Sequence, residues 1–411
     1  MNGAESNAPE PVPLGASPAE RADPFPVLAA LQREAPVHLV RCPDGMDRWL
    51  VSRYQDVVAV LTDPVFSSDL SAMAPPETPS AVTEVRGEGS RVRTTMINQD
   101  PPEHTRLRRE VALGIVPSLI DGVLPSARRV AEELADAVSR TGRCDLVSEF
   151  CRPFSFAVIC QLLGLPAVGP DRFFAAAEAI GSLDGTPEGA ARTRSAIGSM
   201  HEYFAEAVAA KRVNPAHDAI SALLSVQRRN RRLSDDEISS TCLLMFFNGL
   251  DVVADLIANG MLALLAHPDQ LAALRADPGL LPRTVEELLR YDGPVNPGIW
   301  RYARSDAEIG GVRIPRGACV LVAIAAANRD PDVFPDPHRL DLIRTRNPQL
   351  AFGHGAHYCF GARLARAEAE IGIGTLIGRF SGISLAVRRE DLRWRESVGR
   401  GLVELPVLLG Q

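Results

Sequence analysis

The longest apolar stretch of the chain, from Cys242 to Ala266, places the strongest constraint on the fold. It belongs to a segment starting near residue 236 whose periodicity predicts one long helix, with Pro268 directly after it. An unpaired buried amide costs about 1–3 kcal/mol and a carboxylate costs more, so polar residues inside such a helix need partners. Four of them, at spacings that form a single stripe, are Asn248, Asp251, Asp255 and Asn259. We therefore expect this stripe to meet internal partners or to face a solvated pocket.

Around this segment the sequence is mostly helical, with a minor β portion. Helical periodicity runs through DVVAVLTD, HTRLRREVALGIV and ARRVAEELADAVSR. Strand patterns occur in VHLVRCPDGMDRWLVSR, GGVRIPRGACVLVAIAAANRD, ISLAVRR and GLVELPVLL, the first reading as a hairpin around Pro43-Asp44-Gly45. The predicted class is mostly α with minor β (α+β), with small sheets dispersed along the chain.

Composition limits the domain count and the classes of partner. Residues 1–20 are rich in Pro, Ala, Gly and Ser and predict a disordered tail, and residues 21–411 contain no linker and predict one domain. The start lacks the pattern of a secretory signal, and the Asp and Asn residues of the apolar run argue against a membrane span. A net charge of −7 without a basic stripe argues against nucleic-acid binding, and seven irregularly spaced Cys suit a reducing compartment. We expect a cytoplasmic protein.

One cysteine differs from the rest. Cys359 lies in AFGHGAHYCFGARLARAEAE, among glycines and just before a strong helical pattern. The positive end of a helix favours a thiolate, and glycines let a large flat group approach the backbone. A buried structural cysteine, a zinc site with His354 and His357, and a nucleophilic Cys–His pair are the alternatives.

The segment from Phe352 to Gly361, FGHGAHYCFG, resembles the haem-binding loop F-G-x-G-x-H-x-C-x-G of the cytochrome P450 family, position for position. The resemblance extends over residues 23–409 and implies the P450 fold, a single large helical domain with small sheets. In VEELLRYDGP, Glu287 and Arg290 match the family's E-x-x-R helix, and Arg339 falls where a third, networked arginine is expected. These three residues would be structural.

The resemblance also implies how haem b would be held. Cys359 would be the iron ligand. The propionate groups would be bound by four residues: His104 and Arg108 in DPPEHTRLRR, Arg301 in GIWRYARS, and His357. Three further residues of the loop would contact the cofactor: Phe352, Gly353 and Gly361.

The family activates O₂ with two electrons and two protons and inserts one oxygen atom into a substrate. Asp251 matches the acid that relays protons, and Gly249 would leave room for O₂. The family's following threonine is Val252 here, and no Ser or Thr occurs from Cys242 to Ala266. One hypothesis is that a substrate hydroxyl, or a water fixed by Asn248 and the substrate, replaces it. Another is that the reaction needs little proton delivery, as in peroxide-driven oxidation or oxidative coupling.

The remaining expectations concern partners and substrate. The chain contains no flavin or iron–sulfur module, so NAD(P)H-derived electrons would arrive through a ferredoxin reductase and a ferredoxin, docking at a basic patch of Arg106, Arg109 and Arg366. By family analogy a mid-sized lipophilic substrate would contact the segments 68–93 and 173–183. It would also contact Leu244, Phe247, Asn248, Asn296, Pro297, Ile299, Val398 and Gly399. We expect a monomer that tailors a bacterial natural product, or alternatively a catabolic terpene-type hydroxylase. A rival class is a non-haem protein that uses Cys359 as a nucleophile.

Overall fold

The computed structural model describes residues 10–15, 17–72, 95–182, 186–397 and 399–410. Helices dominate this part of the chain, as the sequence predicts. In chain order they are α1 (Pro18–Ala22), α2 (Phe25–Glu34), α3 (Tyr54–Thr62), α4 (Glu103–Gly114), α5 (Pro117–Ser139), α6 (Arg152–Leu163), α7 (Pro170–Gly181), α8 (Pro187–Val213), α9 (Ala219–Asn230), α10 (Asp235–Ala266), α11 (Pro268–Ala276), α12 (Leu281–Asp292), α13 (Ile324–Ala327) and α14 (Ala362–Arg379).

The strands form three small sheets whose members come from distant parts of the chain. They are β1 (Val12–Pro13), β2 (Val37–Arg41), β3 (Asp47–Val51), β4 (Phe66–Ser67), β5 (Arg143–Asp145), β6 (Ile299–Ala303), β7 (Ala307–Ile309), β8 (Val312–Ile314), β9 (Cys319–Val322), β10 (Gly382–Leu385) and β11 (Pro406–Gly410). The sheet orders are β1-β2-β3-β9-β6-β4, β10-β11-β5 and β7-β8. The predicted class, mostly α with dispersed sheets, is confirmed.

Several predicted strands are present, and others were missed. The first hairpin is confirmed: β2 and β3 pair antiparallel from Val37↔Val51 to Arg41↔Asp47, across a turn in which Gly45 has φ 78°. The strands β5 and β6 were not predicted. The stretch after β9 was expected to continue as a strand, but its small alanines form the buried helix α13 instead. The four residues of α13 are all buried, so no alternation marks it, and β5 and β6 are only three and five residues long.

The long helix α10 is the centre of the molecule. It begins with a capping box, in which Ser234 and Glu237 each bond the other's backbone N–H, and it packs on α6, α8, α12 and α14. Phe246 is fully buried among the rings of Phe156, Phe173 and Phe204, and burying one such side chain stabilises the fold by about 1.5–3 kcal/mol. Of the described helices, only α10 is by itself long and apolar enough to cross a membrane. Most of its apolar window is buried inside the protein.

Candidate active site

The cysteine loop is a tight backbone turn that leads into α14. Gly353 and Gly355 have φ of 72° and 71°, a left-handed conformation that favours glycine. A Cβ on Gly355 would also lie 3.0 Å from the carbonyl oxygen of Leu61 on α3. The Cys359 N–H donates to the carbonyl of Phe352 at 2.8 Å, which closes the turn. Cys359 is thereby held half-exposed, whereas the other six cysteines are buried and free.

The electrostatics of the loop differ from the expectation at Cys359. Burial raises the pKa of its thiol, and the Gly361 N–H, Arg108 and Arg366 lower it by less. The predicted effect of the helix end is therefore present but does not by itself produce a thiolate. A metal cation bound at the Cys359 sulfur would supply the larger stabilisation that a thiolate needs here.

Arginines brace the loop from two sides. Arg108 of α4 donates to the carbonyl of Tyr358 at 2.7 Å, so in this structure it contacts the cysteine loop directly. Arg366 lies 4.4 Å over the ring of Phe352 and pairs with Glu286 of α12 at 2.5 Å. These contacts orient the residues on both sides of Cys359.

Three of the predicted propionate-binding residues meet in one buried cluster. The rings of His104 and His357 lie 4.0 Å apart, and both ring nitrogens of His104 are buried without a partner. Arg301 is 6% exposed, and its side-chain bond is to the carbonyl of Trp300 at 2.8 Å. Burial, followed by neighbouring cations, lowers the pKa of His357 to about 3, and burial lowers that of Arg301 to about 10. The cluster contains the buried guanidinium of Arg301, and both ring nitrogens of His104 have no hydrogen-bond partner in it.

The nearest carboxylate, Asp100, is already committed elsewhere. It accepts hydrogen bonds from Ser67 and from the Ser68 N–H and pairs with Arg304. The Ser68 hydroxyl lies 3.1 Å from His357 Nε2 and so orients that ring. An anionic ligand is therefore what the cluster lacks.

These observations agree with haem. A dianionic propionate edge would satisfy the orphaned nitrogens of His104 and the charge of Arg301, and Cys359 offers sulfur to an iron atom. The zinc alternative does not gain support, because His357 turns towards His104. Across the described ranges, no cluster of three or more His, Cys, Asp or Glu could hold a metal ion.

The E-x-x-R pair is fully buried and correctly predicted, but its third arginine was misassigned. Glu287 accepts two hydrogen bonds from Arg290, both at 2.8 Å. The arginine that also reaches Glu287 is Arg344, at 3.2 Å, whereas Arg339 contributes its backbone carbonyl to Arg290 and exposes its side chain. The turn after Pro337 reverses the chain, and spacing alone did not indicate which arginine points inwards.

The polar residues of the α10 stripe fall into two groups, those on the exposed face and those with internal partners. Asn248 is exposed and donates to the Leu244 carbonyl one turn earlier at 2.8 Å, and Val252 is partly exposed on the same face. Both are therefore available to a solvated pocket. Gly249 lies at a helix contact: an added Cβ would lie 3.0 Å from Ile159 of α6, so its lack of a side chain allows close helix packing. Its expected role in leaving room for O₂ stays a prediction.

The other members of the stripe have internal partners. Asp251 lies 3.4 Å from Arg152 of α6 and 3.5 Å from Arg395. Asp255 is buried and accepts from Arg395, and Asn259 donates to the Arg400 carbonyl at 2.9 Å. Burial raises the pKa of Asp255 to about 7, while Arg395 acts in the opposite direction. The expectation of internal partners for Asp255 and Asn259 is confirmed.

The predicted substrate contacts are distributed unevenly. Leu244, Phe247 and Ile299 are partly exposed and remain available to a ligand. Asn296, which precedes Pro297 across a cis bond, is 7% exposed and has an unpartnered amide nitrogen. Phe173 belongs to the aromatic core and not to a pocket wall. The calls on Val398, on Leu183 and on residues 73–93 lie outside the described residues.

The predicted docking patch is weaker than expected. Arg106 pairs with Glu103 and Glu237, and Arg366 pairs with Glu286, so neither charge is free. Arg109 is 58% exposed, although it lies 3.2 Å from Glu110. Helix periodicity predicted that these arginines lie on helices, but it could not show which acidic residues of other elements would pair with them.

Three residues with roles here were not singled out from the sequence: Arg152, Arg344 and Arg395. Asp251 is separated from Arg152 by 99 positions, and Asp255 from Arg395 by 140. No local pattern carries information over such distances. Only the unpaired stripe itself indicated that partners must exist.

Comparisons with known proteins support the same interpretation of the site. The family model of cytochrome P450 matches residues 190–393. The chain is 40% identical over 385 residues to cytochrome P450 107B1 of Saccharopolyspora erythraea, covering 93% of this chain and 94% of that protein.

Solved structures agree over nearly the whole chain. The myxobacterial cytochrome P450 CYP267B1, solved with myristic acid, superposes with a TM-score of 0.90 at 35% identity, covering 96% of this chain and 98% of that one. PksS, the cytochrome P450 of the bacillaene polyketide synthase of Bacillus subtilis, superposes with a TM-score of 0.87 at 32% identity, covering 96% and 99%.

Proposed function

The chain belongs to the cytochrome P450 family of monooxygenases, which use haem, O₂ and electrons from reduced nicotinamide, and we propose that it oxidises a mid-sized lipophilic natural product. The observation that carries the haem-thiolate assignment to particular residues is that the loop of Cys359 also holds His357, whose ring lies 4.0 Å from the unpartnered ring of His104. Residues 21–411 would act as one catalytic domain.

Haem b would be held at two places. Cys359 would ligate the iron, while four residues would bind the propionates: His104, Arg108, Arg301 and His357. Arg108 would do so from a position where it also donates to the Tyr358 carbonyl. When bound, this group activates O₂ and inserts one oxygen atom into the substrate, the other leaving as water. The protein's own residues then have to orient the substrate and deliver protons.

Asp251 is the residue we assign to proton delivery. It is a partly exposed carboxylate on α10, close to Arg152 and Arg395. Val252 offers no hydroxyl to hold a water beside it. A hydroxyl of the substrate, or a water held by Asn248 and the substrate, would take that place.

The Val252→Thr variant tests this proposal. We expect native coupling, measured as product per NAD(P)H consumed, to stay nearly unchanged, while analogues lacking the hydroxyl gain coupling. A lost hydrogen bond of about 1–3 kcal/mol corresponds to roughly 10- to 100-fold in a dependent rate. A gain of that size with the native substrate would contradict substrate assistance.

The missing hydroxyl also favours a second candidate, a peroxide-driven or oxidative-coupling reaction that needs little proton delivery. Turnover with hydrogen peroxide would then exceed turnover with ferredoxin and NAD(P)H. The reverse result supports the monooxygenase reaction.

Electrons would come from a ferredoxin and its reductase, with the monomer acting in the cytoplasm. Support for a basic docking site is confined to exposed charge near the cysteine loop, such as Arg109. The Arg109→Glu variant, titrated with a plant-type ferredoxin, should bind it less tightly than the parent protein does. The affinity of the variant should also depend less on salt concentration.

The substrate class rests on the partly exposed apolar face of α10 and on the buried, unpartnered amide of Asn296. PksS belongs to a polyketide synthase system, which favours a natural-product tailoring role over the catabolic terpene-type alternative. A panel of polyketides and terpenes, titrated for the low- to high-spin shift, distinguishes the two.

One spectrum decides the assignment as a whole. The reduced, CO-bound protein should have the red-shifted Soret band of a thiolate ligand, and Cys359→His should lose it. A purified protein that takes up no haem would favour the rival in which Cys359 is a nucleophile.

A further inference from the structure

Two arginines and three carboxylates form a charge network beside the pocket face of α10. Arg152 comes from α6, Arg395 from the segment after β10, and Glu178 from α7. Asp251 and Asp255 face them from successive turns of α10. The network therefore joins four separate parts of the chain at the acid assigned to proton delivery.

Asp251 is the most loosely held member of this network. Arg395 donates to both carboxylate oxygens of Asp255 but lies 3.5 Å from Asp251. Arg152 lies 3.1 Å from Glu178 but 3.4 Å from Asp251. Each arginine thus has a closer carboxylate than Asp251, and Asp251 is held by two longer contacts.

The absence of a side chain at Gly401 leaves room for the contact between Arg395 and Asp255. A Cβ on Gly401 would lie 2.1 Å from Arg395 Nη2 and 2.3 Å from Asp255 Oδ1. Arg395 is 17% exposed at its side chain and Asp255 7%, so solvent screens the pair little.

This contact is not needed to attach the C-terminal segment to the core. Arg400 pairs with the buried Asp292 at 2.5 Å, and Asn259 donates to the Arg400 carbonyl at 2.9 Å. The Arg400 N–H also donates to the Pro294 carbonyl at 2.8 Å. With the segment anchored in these other ways, the position of Arg395 beside Asp251 calls for a separate explanation.

We propose that Arg395, held back by Asp255, is a positioning residue that keeps Asp251 close to the pocket without binding it tightly. Asp255 competes with Asp251 for the guanidinium. Without Asp255, Arg395 would close on Asp251 and hold it away from the pocket. This inference rests on the proposed role of Asp251 in proton delivery.

The test is the Asp255→Asn variant of the haem-loaded, full-length protein at pH 8. A crystal structure should have Arg395 within hydrogen-bond distance of Asp251. Turnover of a hydroxyl-bearing polyketide that gives the spin shift, with NADPH, ferredoxin and reductase, should fall about tenfold, with a larger solvent isotope effect. Turnover with hydrogen peroxide, which brings its own protons, should change less than about twofold.

Two further variants separate positioning from stability. Adding Arg395→Gln to Asp255→Asn should release Asp251 and recover most of the NADPH-driven rate. Arg393→Gln is the matched control, because Arg393 lies in the same segment, is 69% exposed and pairs with Glu404 at the surface. It should behave as the parent protein does.

An unchanged Arg395–Asp251 distance in Asp255→Asn would overturn the inference, as would equal losses with NADPH and with peroxide. Failure of the parent protein to bind haem would instead refute the proposed function, so the two failures are distinguishable.

Discussion

Replacing Arg344 by Ala should destabilise the protein, although Arg344 lies outside the E-x-x-R pair. Its side chain is 8% exposed, its Nε lies 3.2 Å from Glu287, and its Nη1 donates to the Pro335 carbonyl at 2.8 Å. Losing a hydrogen bond to a charged group costs about 1.5–3 kcal/mol. Glu287 keeps its two bonds from Arg290, so it is not left uncompensated and the cost should stay in that range.

The change in melting temperature follows from the size of the chain. Unfolding entropy is about 2.1 cal/mol/K per residue, so a chain of 411 residues loses about 1 °C per kcal/mol. Arg344→Ala should therefore lower Tm by about 2–3 °C. Glu287→Ala, which leaves the fully buried Arg290 without its carboxylate, should cost about 3–5 kcal/mol and lower Tm by about 3–6 °C.

The assay is thermal unfolding of the haem-loaded protein, followed by circular dichroism and by the Soret band at one scan rate. Arg339→Ala is the matched control, because Arg339 lies in the same loop with an exposed side chain and contributes only its carbonyl. It should stay within about 0.5 kcal/mol of the parent. A Tm loss for Arg339→Ala equal to that for Arg344→Ala would refute the reasoning.

Three other predictions concern the active site. The Asp255 carboxyl has a folded-state pKa of about 7 against an ordinary value of 3.8, so its stabilising contribution is complete below pH 4 and is lost as the pH rises to 7. In urea unfolding, the free energy of unfolding of the parent protein should fall by about 2 kcal/mol between pH 5 and pH 7, and Asp255→Asn should abolish this fall. An unchanged fall in the variant would mean that other groups cause it. Gly249→Ala should lower the free energy of unfolding by about 1 kcal/mol because its methyl group crowds Ile159, and adding Ile159→Val should recover that loss. A change in O₂ binding at unchanged stability would instead favour the expectation that Gly249 leaves room for O₂. Arg301→Leu should stabilise the haem-free protein by about 1–3 kcal/mol yet release haem faster to apomyoglobin, whereas parallel losses would contradict the anionic-ligand assignment.

Local patterns in the sequence were sufficient to predict several main features of this protein. The helical class, the first hairpin, the long helix α10 and the cysteine loop follow from periodicity, turn residues and glycine spacing, all of which act within a few residues. Pairs one helical turn apart, such as Glu287 with Arg290, could also be predicted, because the helix itself brings them together.

Only the tertiary structure decided which groups meet across the chain. Arg344 and not Arg339 reaches Glu287, Gly249 packs on Ile159, and Arg395 joins Asp255 from 140 positions away. The direction of the Cys359 pKa shift likewise depends on burial, which the sequence does not contain. The unpaired polar stripe on an apolar helix indicated that partners were required, because burying such groups alone is too costly. Their identities depend on long-range packing, which brings together residues that no spacing rule relates.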